Sequence, residues 1–149
     1  AQIQVTEDPN SVVSEADIIT TVTTSKEPVF DGRLVKAGTH INGVGSYTPE
    51  MQELDEYIVQ RADRIFVDSK EAVLSEAGDF IIPLKKGSIN EDSINGELGE
   101  VVAGKLHGRS NEKQITLFKT VGIAVQDVVT AKKIYDRALE QGVGQKIDF

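Results

Sequence analysis

Three short runs rich in β-branched residues constrain the fold of this chain more than any other feature. They lie at residues 17–24 (DIITTVTT), 39–45 (THINGVG) and 63–69 (DRIFVDS). The first run is too short for a free-standing helix and too apolar at its start for a half-exposed strand, so it predicts a buried parallel strand. Helical segments follow the second and third runs, at residues 55–62 and 70–77. This alternation predicts an α/β fold with a parallel sheet flanked by helices.

Local signals predict where the first helices begin and end. Residues 3–5 (IQV) are a candidate strand, and the helix after them has Asp8 as its N-cap and Pro9 at its first position. Asp55 and Ser69 are the predicted N-caps of the two helices that follow, and Gly78 is predicted to stop the second of them.

The second half of the chain is predicted to contain a loop, a short helix, one more strand and a long helix. Residues 78–96 are loop-rich, 97–105 form the short helix with a stop at Gly104, and 114–118 form the strand. From Val121 onward, apolar residues recur at helical spacing over about five turns. Gly142 ends this long C-terminal helix. The apolar positions are Val121, Ala124, Val125, Val128, Ala131, Tyr135, Ala138 and Leu139.

Composition excludes several classes of function. The net charge of −8 and the pI near 4.8 disfavour phosphate backbones and anionic lipid, so neither nucleic acid nor a membrane is expected as a partner. No apolar run approaches the roughly 20 residues of a membrane span. The chain has no cysteine, and its two histidines are far apart, so no metal site is expected. The composition fits a cytoplasmic protein.

Candidate ligand contacts lie where the predicted strands end. In an open parallel sheet, ligands bind beyond the carboxyl ends of the strands. Thr23, Thr24 and Ser25 offer hydroxyl groups there, while Gly43 and Gly45 let a flat ligand approach the backbone. Each signal is weak on its own, since a Gly-x-Gly with no helix behind it is more often a simple turn.

Five consecutive segments together resemble the ornithine cyclodeaminase and mu-crystallin family. They are ADIITTVTTSKEPVF, VKAGTHINGVGSYTPEMQELD, RADRIFVDSKEAVLSEAGD, GELGEVVAGK and ITLFKTVGIAVQDVVTAKKIYDRA, and they cover nearly the whole chain in order. The resemblance implies an NAD(P)-dependent enzyme, often dimeric, that acts on amino acids and their imines. It also implies a Rossmann domain that binds NAD or NADP, and a separate domain for substrate contacts and dimerisation.

The resemblance covers only part of the family's architecture. The family's Gly-x-Gly-x-x-Gly turn and its N-terminal substrate domain have no counterpart in this sequence. We therefore expect residues 1–120 to form an incomplete, Rossmann-like dinucleotide-binding domain. Residues 121–149 would form a helix and tail that return toward the missing domain. The expected partners are the missing N-terminal half, a second copy in a homodimer, and a small amino-acid or imine substrate; otherwise the chain is a proteolytic or cloned fragment.

Matching positions imply roles for individual residues. Thr23 matches a threonine that contacts the cofactor, with Thr24 and Ser25 as helpers, and Lys119 faces the cofactor or a carboxylate. Tyr47, Thr120 and Val121 would face the substrate, and Tyr47 is the candidate catalytic residue. The positions implied to bind the cofactor are Thr23, Thr24, Ser25, Val44, Gly45, Ser46 and Lys119.

Two positions separate the possible reactions. In the cyclodeaminases the turn after this strand reads Gly-Gly-Asp-x-Pro-Gly-Lys, and here Tyr47 and Met51 stand where the aspartate and the lysine would be. A phenol with an ordinary pKa near 10 is a poor replacement for a carboxylate base. The chain therefore leans toward the ketimine-type reductases. Ornithine cyclodeaminase itself, a non-catalytic ligand-binding protein and an inert fragment are the alternatives.

Overall fold

The strands form one parallel sheet in the computed structural model, which describes residues 2–147. They are β1 (Ile18–Thr21), β2 (His40–Gly43), β3 (Arg64–Val67), β4 (Gly96–Glu97) and β5 (Thr116–Lys119). Their order in the sheet is β1-β2-β5-β3-β4, and every pair of neighbours is parallel. The carboxyl ends of all the strands therefore meet at one edge of the sheet.

Helices connect the strands and confirm the predicted α/β class with a long C-terminal helix. They are α1 (Asn10–Val13), α2 (Glu56–Arg61), α3 (Lys70–Glu76), α4 (Gly78–Lys85), α5 (Leu98–Val102) and α6 (Ala124–Gln141). Asp55 caps α2 by accepting a hydrogen bond from the Ile58 amide, and Ser69 caps α3 in the same way through the Ala72 amide. Gly142 ends α6 in the left-handed conformation, with φ of 64°.

The hydrophobic core lies on one face of the sheet. Ile41, Ile65 and Leu117 point to this face, and they pack in one cluster with Ile58 of α2 and Phe80 of α4. The alternate residues of the same strands point to the other face. There His40, Asn42 and Arg64 are half-buried, whereas Phe66 and Thr116 are buried.

Three predictions about local structure were wrong. Residues 3–5 are exposed and form no strand, because no strand of the described residues lies beside them to complete their hydrogen bonds. The first helix begins at Asn10, with Pro9 in the cap position, while the Asp8 carboxylate accepts from the Asn10 amide. Residues 78–85 form α4 rather than loop.

Helix α4 forms although it contains Pro83. A proline in a helix removes one backbone donor and usually disfavours the helix. Here Phe80 and Ile81 are buried, and the packing of this apolar face against the core outweighs the local cost. Gly78 accordingly begins α4, after Ala77 has ended α3, instead of leading into a loop.

The apolar stripe of α6 is exposed. Val125, Val128 and Leu139 keep 58%, 66% and 64% of their surface accessible to solvent. A helix of a globular protein normally buries such a stripe. No helix within residues 2–147 is both long and apolar enough to cross a membrane.

Replacement of Asp55 by alanine is expected to cost more stability than the loss of an ordinary helix cap. One Asp55 carboxylate oxygen accepts from the Ile58 amide at 2.8 Å, and the other accepts from the Gly32 amide at 2.8 Å. We expect Asp55→Ala to lower the free energy of unfolding by about 2 kcal/mol, since it removes the cap and leaves a second amide unpaired.

The matched control is Ser69→Ala, which removes only a cap and should cost about 1 kcal/mol. Urea unfolding of the two variants and the parent, followed by circular dichroism, measures both losses. Equal losses would show that the bond to Gly32 contributes nothing.

Candidate functional site

A groove lies at the carboxyl edge of the sheet, between the loops that follow β1 and β2. Its volume is about 580 Å³. It has apolar walls with three hydroxyl groups among them, a combination that suits a flat ring with polar substituents. The groove is lined by Val22, Thr23, Thr24, Val44, Gly45 and Tyr47.

The two loops touch at Gly45. A Cβ atom at this position would lie 2.1 Å from the carbonyl oxygen of Thr23 and 2.3 Å from its amide nitrogen. Both distances are far below a van der Waals contact, and backbone atoms cannot move aside as a flexible side chain can. The groove therefore requires glycine at this point for close packing of two loops.

Glu53 connects these two loops by side-chain hydrogen bonds to both of them. Its side chain is fully buried, and one carboxylate oxygen accepts a hydrogen bond from the Thr23 amide. The other oxygen accepts from the Gly45 amide at 2.8 Å. Nothing in the sequence singles out Glu53, because a single glutamate in a loop carries no periodic signal of burial.

A buried ion pair lies next to this carboxylate. The Nζ atom of Lys119 is 3.4 Å from Oδ2 of Asp79 and donates a hydrogen bond of 3.2 Å to the carbonyl oxygen of Gly43. The other oxygen of Asp79 accepts from the amides of Glu53 and Leu54, at 2.7 and 2.9 Å. These contacts connect the end of β2, the end of β5 and the start of α4.

Burial perturbs the pKa of both members of this pair. It raises the pKa of Asp79 and lowers the pKa of Lys119, since each charged form loses its hydration. The contact between the two opposite charges acts against both shifts. Lys119 points inward in this structure, so its contact with a cofactor remains a prediction.

The turn between β5 and α6 is held by Asp68. One carboxylate oxygen of Asp68 accepts hydrogen bonds from the Thr120 hydroxyl and from the amides of Val121 and Gly122, both amides at 2.9 Å. The Thr120 hydroxyl is thus already engaged. The substrate contacts of Thr120 and Val121 remain predictions.

The structure brings together five of the residues singled out in the sequence. Thr23, Thr24, Val44, Gly45 and Tyr47 all line the groove, and Tyr47 is 48% exposed.

Ser25 and Ser46 were also predicted to bind the cofactor, but they do not line the groove. The Ser25 hydroxyl donates to the carbonyl of Glu27, and the buried Ser46 hydroxyl donates to the carbonyl of Met51. Each of these serines stabilises its own loop. Their direct contact with a cofactor remains a prediction.

The groove has the chemistry of a site for a planar ring, because Val22 and Val44 are apolar and Thr23 and Thr24 carry hydroxyl groups. Contact of these residues with a dinucleotide cofactor remains a prediction. No Gly-x-Gly-x-x-Gly turn occurs in the sequence to bind the pyrophosphate. Within residues 2–147, no three His, Asp or Glu side chains are grouped to hold a metal ion.

Comparison with known proteins gives consistent matches over nearly the whole chain. Residues 1–142 match the model of the ornithine cyclodeaminase/mu-crystallin family. Delta(1)-pyrroline-2-carboxylate reductase of Bacillus cereus is 49% identical over 142 residues, which are 95% of this chain and 43% of that protein. The chain thus spans less than half the length of this relative.

Two solved structures resemble the fold closely. The Delta(1)-pyrroline-2-carboxylate reductase of Thermococcus litoralis, in complex with NADH and L-proline, superposes with a TM-score of 0.89 at 46% identity. That match covers 95% of this chain and 44% of the other. An archaeal alanine dehydrogenase dimer with bound NAD superposes with a TM-score of 0.83 at 39% identity, over 95% of this chain and 43% of that one.

Proposed function

The chain belongs to the ornithine cyclodeaminase/mu-crystallin family, and we propose that it forms part of an NAD(P)-dependent enzyme that reduces a small ketimine. The observation that carries this proposal is the groove at the carboxyl edge of the sheet, because it unites Thr23, Gly45 and Tyr47. This edge is where an open parallel sheet binds its ligand. The similar reductase of Thermococcus litoralis was solved with NADH and L-proline, which supports the same class of ligands here.

The lining of the groove favours reduction over cyclodeamination. Tyr47 is the titratable side chain among the six lining residues, and none of the six carries a carboxylate. A phenolic hydroxyl is a poor replacement for the carboxylate base of a cyclodeaminase. Met51 is half-buried and offers no charge either. Ornithine cyclodeaminase activity is the alternative, and it would require an acid–base group from outside these residues.

In the proposed reaction, the chain's own residues position the reactants. NAD(P)H, when bound, would supply a hydride to the carbon of an imine that is already protonated on nitrogen; the C=N π electrons pass to nitrogen, and the products are the amine and NAD(P)⁺. Val22 and Val44 would pack against the ring of the cofactor and exclude water from it, while the Thr23 and Thr24 hydroxyls would fix its orientation. Tyr47 packs beside the substrate at the open side of the groove. Close and oriented contact of this kind is the main contribution that a protein makes to hydride transfer.

The remaining parts of the enzyme are proposed to come from a missing N-terminal half. In this proposal residues 1–120 are the incomplete dinucleotide-binding domain and residues 121–149 lead back to the other domain; of these, residues 1, 148 and 149 lie outside the described part of the structure. Strand β1 pairs with β2 on one side and ends the sheet on the other, so a further strand has room there. The exposed stripe of α6 is a second surface for that half, or for the partner in a homodimer.

Cofactor titration with a turnover assay tests the proposal. The protein is purified, its intact mass and size in solution are determined, and NADH and NADPH are titrated by fluorescence. Turnover is followed with Delta(1)-pyrroline-2-carboxylate, and ornithine serves as the cyclodeaminase substrate. Binding with ketimine reduction supports the proposal. Binding without turnover of either substrate identifies a non-catalytic binding protein, and no binding at millimolar concentration identifies an inert fragment.

Replacement of Tyr47 by phenylalanine distinguishes packing from proton transfer. Because we assign Tyr47 a packing role, we expect Tyr47→Phe to change kcat/KM by less than about threefold, whereas loss of a general acid costs about 100-fold or more. Tyr47→Ala removes the ring and should raise KM for the ketimine. A 100-fold loss of kcat in the phenylalanine variant would instead make the hydroxyl catalytic.

A further inference from the structure

We propose that Glu53 is a positioning residue that holds both loops of the groove in the geometry that binds the cofactor. The inference rests on the proposed function, and it adds a residue that the sequence analysis did not select. Glu53 does not line the groove. It acts through the backbone amides of Thr23 and Gly45, which belong to two different strand–loop connections.

The carboxylate lies between loops that are distant in the sequence. Thr23 is 30 residues before Glu53, and Gly45 is 8 residues before it. Each carboxylate oxygen takes one of the two amides, so a single side chain sets the spacing between the loops after β1 and β2. Since Thr23 and Gly45 both line the groove, this contact fixes the position of its two walls relative to each other.

The backbone of Glu53 is itself fixed. Its amide donates to Asp79 at 2.7 Å, and its carbonyl accepts from the Val29 amide at 2.9 Å. The side chain has no accessible surface, so neither end of the residue is free to move without breaking a buried hydrogen bond. Hydrogen bonds from neutral amides to a charged acceptor are stronger than those to a neutral one. The arrangement is therefore stiff enough to transmit a defined geometry to the loops.

This role of Glu53 requires that both of its side-chain oxygens accept a hydrogen bond. Glutamine has nearly the same shape as glutamate, but only its carbonyl oxygen accepts, and its NH₂ group would face a second N–H donor. In Glu53→Gln one loop amide, either Thr23 or Gly45, therefore loses its partner and is repelled. The volume of the side chain hardly changes, so the packing below the groove remains filled.

Steady-state kinetics of the purified Glu53→Gln variant, compared with those of the unmodified protein, test the proposal. We expect KM for NADH to rise about tenfold, while kcat at saturating cofactor stays within about twofold, since the variant weakens cofactor binding and not the reacting groups. The matched control is Glu112→Gln, which changes an exposed glutamate that precedes β5, at the other edge of the sheet, and should leave both constants unchanged. A KM for NADH that is unchanged in Glu53→Gln overturns the proposal, whether or not kcat falls.

Hydrogen exchange in the unmodified protein provides a test that does not depend on the folding of any variant. The amides of Thr23 and Gly45 should exchange more slowly than the amide of Thr24 in the same loop, because the Glu53 carboxylate binds the first two. Fast exchange at both amides overturns the proposal. If the unmodified protein binds no NADH but protects both amides, the proposed function fails while the role of Glu53 in holding the loops stands.

Discussion

Replacement of Lys119 by methionine is expected to lower the free energy of unfolding by about 3–5 kcal/mol. The ammonium group lies 3.4 Å from the Asp79 carboxylate, and neither side chain has accessible surface. Methionine fills a similar volume but leaves Asp79 as a buried charge without a counter-ion, which is among the most destabilising changes in a protein interior. Urea unfolding at neutral pH measures the loss.

The double variant Lys119→Met with Asp79→Asn is the control for this prediction. Asparagine keeps an oxygen to accept from the Glu53 and Leu54 amides, but it carries no charge that needs a partner. We expect the double variant to recover most of the stability lost in Lys119→Met, so that the two changes are strongly non-additive. Additive losses would show that the pair does not act as a unit.

In the parent protein, the pH dependence of the stability contributed by this pair follows from the directions of the two pKa shifts. Burial raises the pKa of Asp79 above its ordinary value of 3.8, so the folded protein keeps this proton at pH values where the unfolded chain has lost it. The contribution of this group to the free energy of unfolding therefore falls as pH rises from 3.8 through the folded pKa. The lowered pKa of Lys119 has the opposite effect at higher pH. Between the folded pKa of Lys119 and pH 10.5, the contribution of this group to the free energy of unfolding rises with pH.

Without Lys119, the cation that opposes the shift of Asp79 is gone, and its pKa rises further. We expect the deficit of Lys119→Met to be smaller at about pH 4.5 than at about pH 7.5, because the protonated carboxyl needs no counter-ion. Urea unfolding of the parent and the variant at both pH values tests this sign. A deficit that grows on acidification would contradict it.

Replacement of Gly45 by alanine is expected to weaken NADH binding by about tenfold or more, since every 1.4 kcal/mol of binding free energy lost lowers the affinity tenfold. The added Cβ would lie 2.1 Å from the Thr23 carbonyl oxygen and 2.5 Å from the Glu53 carboxylate. The loops after β1 and β2 must separate to admit it, which changes the shape of the groove and breaks its support. Fluorescence titration with NADH measures the loss of affinity.

Gly99→Ala is the matched control for this substitution. Gly99 lies inside α5, and a Cβ atom there meets nothing within 4 Å. Alanine is the better helix former by about 1 kcal/mol, so this variant should bind NADH as the parent does and unfold at slightly higher urea concentration. Wild-type affinity in Gly45→Ala would show that the ligand binds elsewhere.

Features specified by neighbouring residues were predictable from the sequence. The caps at Asp55 and Ser69 and the stop at Gly142 depend on side chains and backbone within one turn of each helix end. The groove residues Thr23 and Gly45 followed from the rule that strand ends carry ligand contacts, together with the family resemblance.

Features specified by distant residues were not predictable in this way. The Asp79 carboxylate accepts from the Glu53 amide 26 residues away, and nothing in the composition of residues 78–96 indicates that contact. The helix through Pro83 was missed for the same reason, since burial of Phe80 and Ile81 against the core decides it. Buried charged residues in loops are found only once the tertiary contacts are known.

The position of β5 in the sheet has a consequence for biosynthesis. Of the five strands within residues 2–147 it is the last to be synthesised, yet it lies in the middle, with β1 and β2 on one side and β3 and β4 on the other. Until residues 116–119 emerge, the nascent chain holds two separate strand pairs with unpaired edges, a state that is prone to aggregation. These two strand pairs therefore cannot join into one sheet until residues 116–119 have been synthesised.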